Sequence, residues 1–174
     1  MRAGGAALLR HLVAIAVLPV TVAVLVPVWI ARRYAVVPAL GRVPGEVARQ
    51  VLGVALLAVG LALFVASLRR FATEGNGTLA PWDPPRRLVV RGPYRYVRNP
   101  MISGVIFVLC AEALVLLSAP HAMWAAAVFA VNAVYIPLLE EPMLEARFGA
   151  DYRAYCRHVG RLLPRLRPWQ GSRS

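Results

Sequence analysis

The chain is poor in acidic residues and contains no lysine. Asp and Glu number 8 among 174 residues, against 20 basic residues that are all arginine, so the formal net charge is +12. This charge is carried by guanidinium groups, which suit phosphate and carboxylate partners. Only two cysteines occur, Cys110 in an apolar run and Cys156 in a polar tail, and this placement gives no support for a disulfide.

Charged side chains are missing from long stretches of the sequence. Hydrophobic residues make up 59% of the chain, too many for one soluble core of this length. Segments 12–31 and 51–68 are free of charge, and the second carries small residues such as Gly53 and Gly60 that allow a neighbouring helix to approach closely. A bilayer core of about 30 Å needs about 20 apolar helical residues. We therefore predict two N-terminal transmembrane helices within 1–70, at about 12–31 and 47–68.

A third apolar stretch, 101–139, carries a single formal charge, Glu112. As one helix it would be about 58 Å long, roughly twice the thickness of the hydrocarbon layer. It must therefore fold back, and the run 118–121, which contains Pro120, is the expected break. In the resulting hairpin Glu112 and Asn132 lie at depths that allow them to meet. Glu112 then has two interpretations, a hydrogen-bonded structural residue or part of a substrate cavity.

Arginine is concentrated in the polar segments on either side of this hairpin. Because flanking arginine favours the cytoplasmic side, both segments and both termini are expected in the cytoplasm. The sequence thus predicts an all-α, multi-pass integral membrane protein with about four transmembrane helices. Its core is 71–174, divided into a cytosolic loop (71–100), the hairpin (101–139), and an interfacial helix with its tail (140–174).

The cytosolic loop is rich in proline, which favours extended, irregular backbone. Pro100 is suited to begin the third span, with Asn99 as its N-cap. A helix N-terminus beside Arg95 and Arg98 offers N–H donors and positive charge to an anion such as an amino-acid carboxylate. Tyr94 and Tyr96 offer ring faces to an adenine or a sulfonium cation.

The second polar segment begins with two adjacent carboxylates at the membrane boundary, Glu140 and Glu141. They are costly there unless a positive or donating group meets them. The apolar residues that follow have helical spacing, with an interruption at Gly149, and alone this stretch is typical of a membrane-surface helix that binds anionic headgroups through arginine. The hairpin returns the two glutamates to the side of Pro100, so both polar segments should form one pocket that faces the cytosol.

The run Gly92-Pro93-Tyr94-Arg95-Tyr96-Val97-Arg98-Asn99-Pro100-Met101-Ile102-Ser103-Gly104, followed by Glu140-Glu141 and Phe148-Gly149, resembles the isoprenylcysteine carboxyl methyltransferase and phospholipid methyltransferase superfamily. The resemblance covers residues 77–164. It implies that S-adenosylmethionine binds between the loop and the glutamates and that a lipophilic substrate enters from the bilayer. No metal is implied. With the loop residues above, the expected cofactor-binding set is Tyr94, Arg95, Tyr96, Arg98, Asn99, Pro100, Gly104, Glu140, Glu141, Tyr152, Tyr155 and Arg161.

Two positions depart from the superfamily pattern. Asn99 stands where a histidine is usual, and Ile102 where an aromatic residue is usual. Asparagine cannot exchange protons near neutral pH, so a carboxylate or thiol acceptor is favoured over an amine, which must first lose a proton. Methyl transfer is an in-line displacement that mainly requires alignment and exclusion of water. No catalytic residue is assigned; Arg98, Asn99 and Glu112 are the candidates.

Two other functions are compatible with parts of the sequence. A sterol-reductase-type membrane enzyme that uses NADPH would carry a similar loop, although such chains are much longer. A non-enzymatic adaptor that binds anionic lipid would explain the arginine-rich tail and leave the two glutamates without a role. No motif for nucleic-acid binding is present, so DNA and RNA are not expected partners.

Overall fold

The computed structural model describes residues 16–37, 43–74 and 88–170, and all regular structure in these ranges is helical. The first segment is a π-helix followed by a short α-helix. The α-helices that begin at Pro44, Pro100 and Ala119 have a proline in the first turn, where the missing N–H costs no helical hydrogen bond. In chain order the elements are π1 (Ala16–Leu25), α1 (Val26–Arg33), α2 (Pro44–Glu74), a 3₁₀ turn (Gly92–Arg95), α3 (Pro100–Leu116), α4 (Ala119–Tyr135), π2 (Ile136–Glu140) and α5 (Glu141–His158).

The predicted chain reversal between α3 and α4 is present, but Pro120 does not cause it. Leu117 adopts a left-handed conformation (φ 47°), and Ser118 caps α4 by accepting a hydrogen bond from the His121 N–H. Pro120 already lies in the first turn of α4. The reversal thus depends on one left-handed residue and a serine cap, whereas proline only marks the start of the returning helix.

The fourth predicted span and the interfacial helix are continuous, which corrects the boundary expected at residue 140. The helix runs through α4, π2 and α5, and its bend comes at Gly149, with φ 55° and ψ −126°. A π turn widens the helix around Pro137, which accommodates a residue with no N–H to donate. These non-helical angles confirm the interruption predicted at Gly149. The positive φ favours glycine, which has no side chain.

The close packing of α2 against α3 follows from glycine on both helices. A Cβ at Gly60 would lie 2.8 Å from the Gly104 carbonyl oxygen, and one at Gly104 would lie 2.7 Å from the Gly60 carbonyl oxygen. Gly53, one position on the predicted small-residue face, instead makes room for the Val115 side chain, whose Cγ2 would lie 2.6 Å from a Cβ there. These glycines therefore let the two backbones approach more closely than any side chain would permit.

The first helical segment is tied to α4 by two side chains. In a π-helix the carbonyl of residue 22 would be bonded by the N–H of residue 27, but that residue is Pro27. Trp124 Nε1 instead donates to the Val22 carbonyl over 3.0 Å. The buried His121 lies between the Ser118 hydroxyl, 2.7 Å from its Nδ1, and the Pro27 carbonyl, 3.2 Å from its Nε2. The Val22 and Pro27 carbonyls are therefore satisfied by side chains of α4.

The described residues contain two helices long and apolar enough to cross a membrane, Pro44–Arg70 and Ala119–His158. Most of their apolar side chains are exposed on the protein surface, as expected of helices in lipid rather than in a soluble core. Helix α3 is shorter, at 17 residues. The count of four spans and the cytoplasmic position of the termini stay predictions, and residues 12–15 of the first predicted span lie outside the described ranges.

Candidate active site at the junction of the loop, the glutamates and the tail

The end of the polar loop pairs with the C-terminal tail through main-chain hydrogen bonds. The described part of the loop forms the 3₁₀ turn, and residues 96–99 then lie outside any helix, so N–H and carbonyl groups there are free to bond to a second segment. The tail leaves α5 at Val159, which is itself extended. The Ser103 hydroxyl, in the first turn of α3, adds a 2.7 Å bond to the Leu162 carbonyl. The main-chain bonds are Arg98 N to Gly160 O (2.8 Å), Asn99 N to Arg161 O (3.2 Å), Arg165 N to Tyr96 O (2.9 Å) and Trp169 N to Arg95 O (2.9 Å).

An aromatic cluster fixes α5 beneath this paired backbone. Tyr152, Tyr155 and Val159 are buried together, with Trp169 of the tail packed against them. The Tyr155 hydroxyl donates to the Tyr94 carbonyl over 2.6 Å. Burial raises the pKa of Tyr155 well above its ordinary value, so its hydroxyl stays protonated and remains a donor. The loop and the segment after α4 thus contact each other, whereas the pocket expected between them stays a prediction.

Glu141 is fully engaged by two arginines. Arg161 donates from Nε to Oε1 over 2.7 Å and from Nη2 to Oε2 over 2.9 Å, the bidentate geometry that suits a guanidinium and a carboxylate. Arg98 Nη1 lies 2.9 Å from the same Oε1. These contacts hold the pKa of Glu141 below its ordinary value, with the Arg161 hydrogen bonds as the largest cause. Glu141 is therefore an anion that holds two cations in place.

Arg98 has a buried donor without a partner in the described part of the chain. Its side chain is only 10% exposed, and Nη1 is engaged by Glu141 and, over 2.6 Å, by the Cys156 sulfur. Its Nε is buried and has no hydrogen-bond partner among the described residues. A buried guanidinium donor without a partner is costly, so this atom is a position where a ligand acceptor would be stabilised.

Glu140 differs from its neighbour Glu141 in its contacts and in the direction of its pKa shift. It makes no hydrogen bond or ion pair with any described residue, although it lies close enough to Tyr94 to raise the pKa of that phenol. Burial, and then the charge of Glu141, raise the pKa of Glu140 to about 7, while Arg98 acts in the opposite direction. At neutral pH this carboxyl group is consequently divided between its charged and neutral forms.

The other residues of the expected cofactor set have structural contacts. Arg95 Nε donates to the Trp169 carbonyl over 2.6 Å, and the carbonyl of Tyr96 bonds the tail. Asn99 occupies the N-cap position of α3, but its side chain makes no capping bond and lies 3.4 Å from the Arg161 carbonyl. Pro100 is buried at the start of α3, and Gly104 faces α2. Their roles toward a cofactor stay predictions.

The contact between Glu112 and Asn132 that their equal depth would allow is not formed. Asn132 Nδ2 donates to the Val128 carbonyl of its own helix over 2.8 Å, and Glu112 Oε2 is buried without a partner among the described residues. Equal depth along two helices does not fix which faces turn toward each other, and the expectation rested on depth alone. Glu112 is therefore not part of the cluster around Arg98.

Three residues that hold the site together were not predicted from the sequence. Ser103 and Trp169 join the tail to the loop and α3, and Cys156 contacts Arg98. Ser103 lies inside the loop motif 92–104, so its position in the sequence was a reason to consider it. No sequence pattern marks Trp169 or Cys156, because their contacts depend on the path of the tail.

The sequence model of the phospholipid methyltransferase family matches residues 48–151, more than half of the chain. The chain belongs to the phospholipid methyltransferase family. The superfamily expected from the loop and glutamate motifs is thereby confirmed, and membership implies a membrane methyltransferase. No curated protein and no solved structure gives a significant match. The match includes the loop and both glutamates, whereas Arg161 and Trp169 lie beyond it.

Proposed function

We propose that the protein transfers a methyl group from S-adenosylmethionine to a lipophilic acceptor at the membrane surface. The observation that carries this proposal is the state of two neighbouring groups, Arg98 Nε, which is buried without a partner, and Glu140, which has no hydrogen bond of its own. Together they offer a donor and an acceptor that the protein itself does not use. The amino-acid end of S-adenosylmethionine carries the complementary carboxylate and ammonium groups.

Each side chain of the cluster then has a distinct role. Arg98 would bind an anionic group through Nε, and Glu140 would accept from an ammonium or hydroxyl group. Glu141 and Arg161 do not reach the ligand in this scheme; they hold Arg98 in position. Tyr94 would supply aromatic surface beside Glu140, and the buried Tyr155 would hold Tyr94 in place through the bond to its carbonyl. When bound, S-adenosylmethionine supplies an electrophilic methyl group, and attack in line with the breaking carbon–sulfur bond is the expected geometry.

The acceptor class is the open part of the proposal. The family match supports a lipid, and a carboxylate or thiol was favoured over an amine because Asn99 cannot act as a base. Glu140 weakens that argument, since a carboxyl group whose pKa is raised to about 7 can take a proton from an ammonium headgroup near neutral pH. Two roles therefore fit Glu140, cofactor binding and proton acceptance, and they predict different defects when it is replaced.

Glu140→Gln is the sharpest test because this side chain has no protein partner to lose. The purified protein in lipid nanodiscs would be titrated with methyl-labelled S-adenosylmethionine and then incubated with amine, carboxylate and thiol lipids. Loss of one charge-assisted hydrogen bond, about 1.5–3 kcal/mol, predicts roughly ten- to hundredfold weaker cofactor binding. Unchanged binding with a lower rate toward amine lipids alone would assign Glu140 as the proton acceptor.

Glu145→Gln is the matched control, because Glu145 lies on the same helix in an exposed pair with Arg153. It should leave binding and transfer unchanged. A parallel titration with NADPH tests the reductase alternative. If the protein bound NADPH and not S-adenosylmethionine, the proposed function would be contradicted in favour of the reductase. If it bound neither cofactor but still bound anionic vesicles, the result would favour the adaptor.

A further inference from the structure

Two leucines on the arginine-rich tail are exposed to a degree unusual for a polar segment. Leu163 is 75% exposed and Leu166 is 99% exposed, and both lie in the short stretch 163–167. We propose that this stretch, the docking segment, is a membrane anchor that inserts its leucines into the leaflet beside it and binds anionic phospholipid headgroups through Arg165 and Arg167. It is separate from the cluster around Arg98.

The docking segment is held at the level where α3 begins. The Asn99 N–H donates to the Arg161 carbonyl over 3.2 Å, and the Ser103 hydroxyl donates to the Leu162 carbonyl over 2.7 Å. Both donors belong to the cap and first turn of α3, an apolar helix that the proposed fold places in the bilayer. Leu163 directly follows these bonds. It therefore lies at the boundary between headgroups and hydrocarbon, where apolar side chains of peripheral segments are stabilised.

The exposure of the two leucines is fixed by the backbone around them. The Arg165 N–H donates to the Tyr96 carbonyl, and the Trp169 N–H donates to the Arg95 carbonyl, each over 2.9 Å. These bonds lie on either side of Leu166, and Arg95 adds a side-chain bond to Trp169. A segment tied down at both ends cannot turn its leucines into the protein, so their burial requires a surface from outside.

The charge around the leucines identifies that surface. Arg165 and Arg167 are exposed on either side of Leu166, and the tail from 159 to 170 contains no acidic residue. Arg165 Nη1 bonds the His158 carbonyl over 2.6 Å, which leaves the other donors of its guanidinium available. Apolar side chains alternating with arginine match a leaflet that has hydrocarbon beneath anionic headgroups. A protein partner would require an acidic, apolar face, and it is the alternative that the test must exclude.

The test uses the full chain in nanodiscs of phosphatidylcholine containing a minor fraction of phosphatidylglycerol. A photo-crosslinking amino acid replaces Leu166 and, as the control, Asp151, an exposed acidic position on α5. Illumination and mass spectrometry should give phospholipid adducts several-fold more abundant at position 166 than at 151. Phosphatidylglycerol should be over-represented among them relative to its share of the bilayer, and Arg165→Gln with Arg167→Gln should abolish that excess.

Equal lipid adducts at the two positions, or adducts at 166 with a second copy of the chain, would overturn the proposal. Adducts in proportion to bilayer composition would overturn the anionic part. The inference uses only the proposed placement of α3 in the bilayer, so binding of labelled S-adenosylmethionine, measured on the same samples, reports separately on the proposed function. Leu163→Ser with Leu166→Ser should lower neither that binding nor the yield of folded protein.

Discussion

Arg161 and Glu141, which are 20 residues apart in the chain, form a bidentate ion pair with nitrogen–oxygen distances of 2.7 and 2.9 Å. Arg98 shares one oxygen of the same carboxylate. The pair therefore joins three parts of the molecule: the loop before α3, the start of α5, and the tail. Because the contact connects these three elements, its removal should affect the whole junction between them.

Glu141→Gln should lower the free energy of unfolding by about 2 kcal/mol, because it leaves Arg98 buried without its counter-ion. The value is below that of a fully buried pair because Arg161 is 36% exposed and therefore partly screened by solvent. Unfolding in mixed micelles by denaturing detergent would measure it. Glu145→Gln breaks the Arg153 pair, whose side chains are 55% and 49% exposed, and should cost almost nothing. Similar losses in the two variants would contradict this role of Glu141.

Replacement of Glu140 should have the opposite effect on stability. The pKa of Glu140 is raised to about 7, whereas an unfolded chain should have its ordinary value of about 4.3. Between those values the folded state binds the proton that the unfolded state has lost, so the free energy of unfolding falls as pH rises and levels off above about 7. Glu140→Gln should remove this slope and stabilise the ligand-free protein at about pH 8, by on the order of 3–4 kcal/mol.

The measurement is the same unfolding titration at about pH 4 and about pH 8 for both proteins. At the lower pH the two curves should nearly coincide, since Glu140 is then protonated in the folded state and largely protonated in the unfolded state as well. A variant that is less stable than the natural protein at the higher pH would show that Glu140 has a stabilising partner after all.

These two glutamates differ in a way that the sequence alone does not predict. Their adjacency at the end of an apolar run was enough to predict a site, because two carboxylates at a membrane boundary require partners. Which glutamate is paired depends on which way each side chain points from the helix. It also depends on the position of Arg161, one of several arginines in the tail. The tail is irregular, so no sequence periodicity predicts which arginine reaches Glu141.

The fold could be predicted better than the site, because the helices depend on long runs of apolar residues. Apolar length predicted the helices and the reversal near residue 118, although α2 extends from Pro44 to Glu74, beyond the predicted 47–68. Gly53 and Gly60 predicted a close helix contact. Gly104, in contrast, was assigned to the cofactor on the strength of its motif, whereas its neighbours in the structure are Gly60 and Phe64. A motif alone cannot separate a packing residue from a binding residue.

Gly104→Ala and Gly60→Ala are a matched pair of variants that distinguish a packing role of Gly104 from a cofactor-binding role. A Cβ at either position would meet backbone atoms of the opposite helix within 2.8 Å, so the helices must move apart. Each change should cost about 1–3 kcal/mol in the free energy of unfolding. Gly45→Ala is the control, because a Cβ there meets nothing within 4 Å. If Gly104→Ala weakened cofactor binding while Gly60→Ala did not, Gly104 would have a binding role beyond packing.

Trp124→Phe tests the tie between α4 and the first helical segment. It removes the 3.0 Å hydrogen bond to the Val22 carbonyl, which Pro27 leaves without a main-chain donor, and it keeps an aromatic ring in place. Hydrogen bonds inside membrane bundles contribute about 0.6 kcal/mol on average and up to about 1.7 kcal/mol, and the upper value is expected here because no water replaces the donor. Amide hydrogen exchange in 16–33 should rise in the same variant. Trp29→Phe is the control, since Trp29 is 60% exposed on α1. Equal exchange in the two variants would mean that packing alone, without the Trp124 bond, holds the first segment against the bundle.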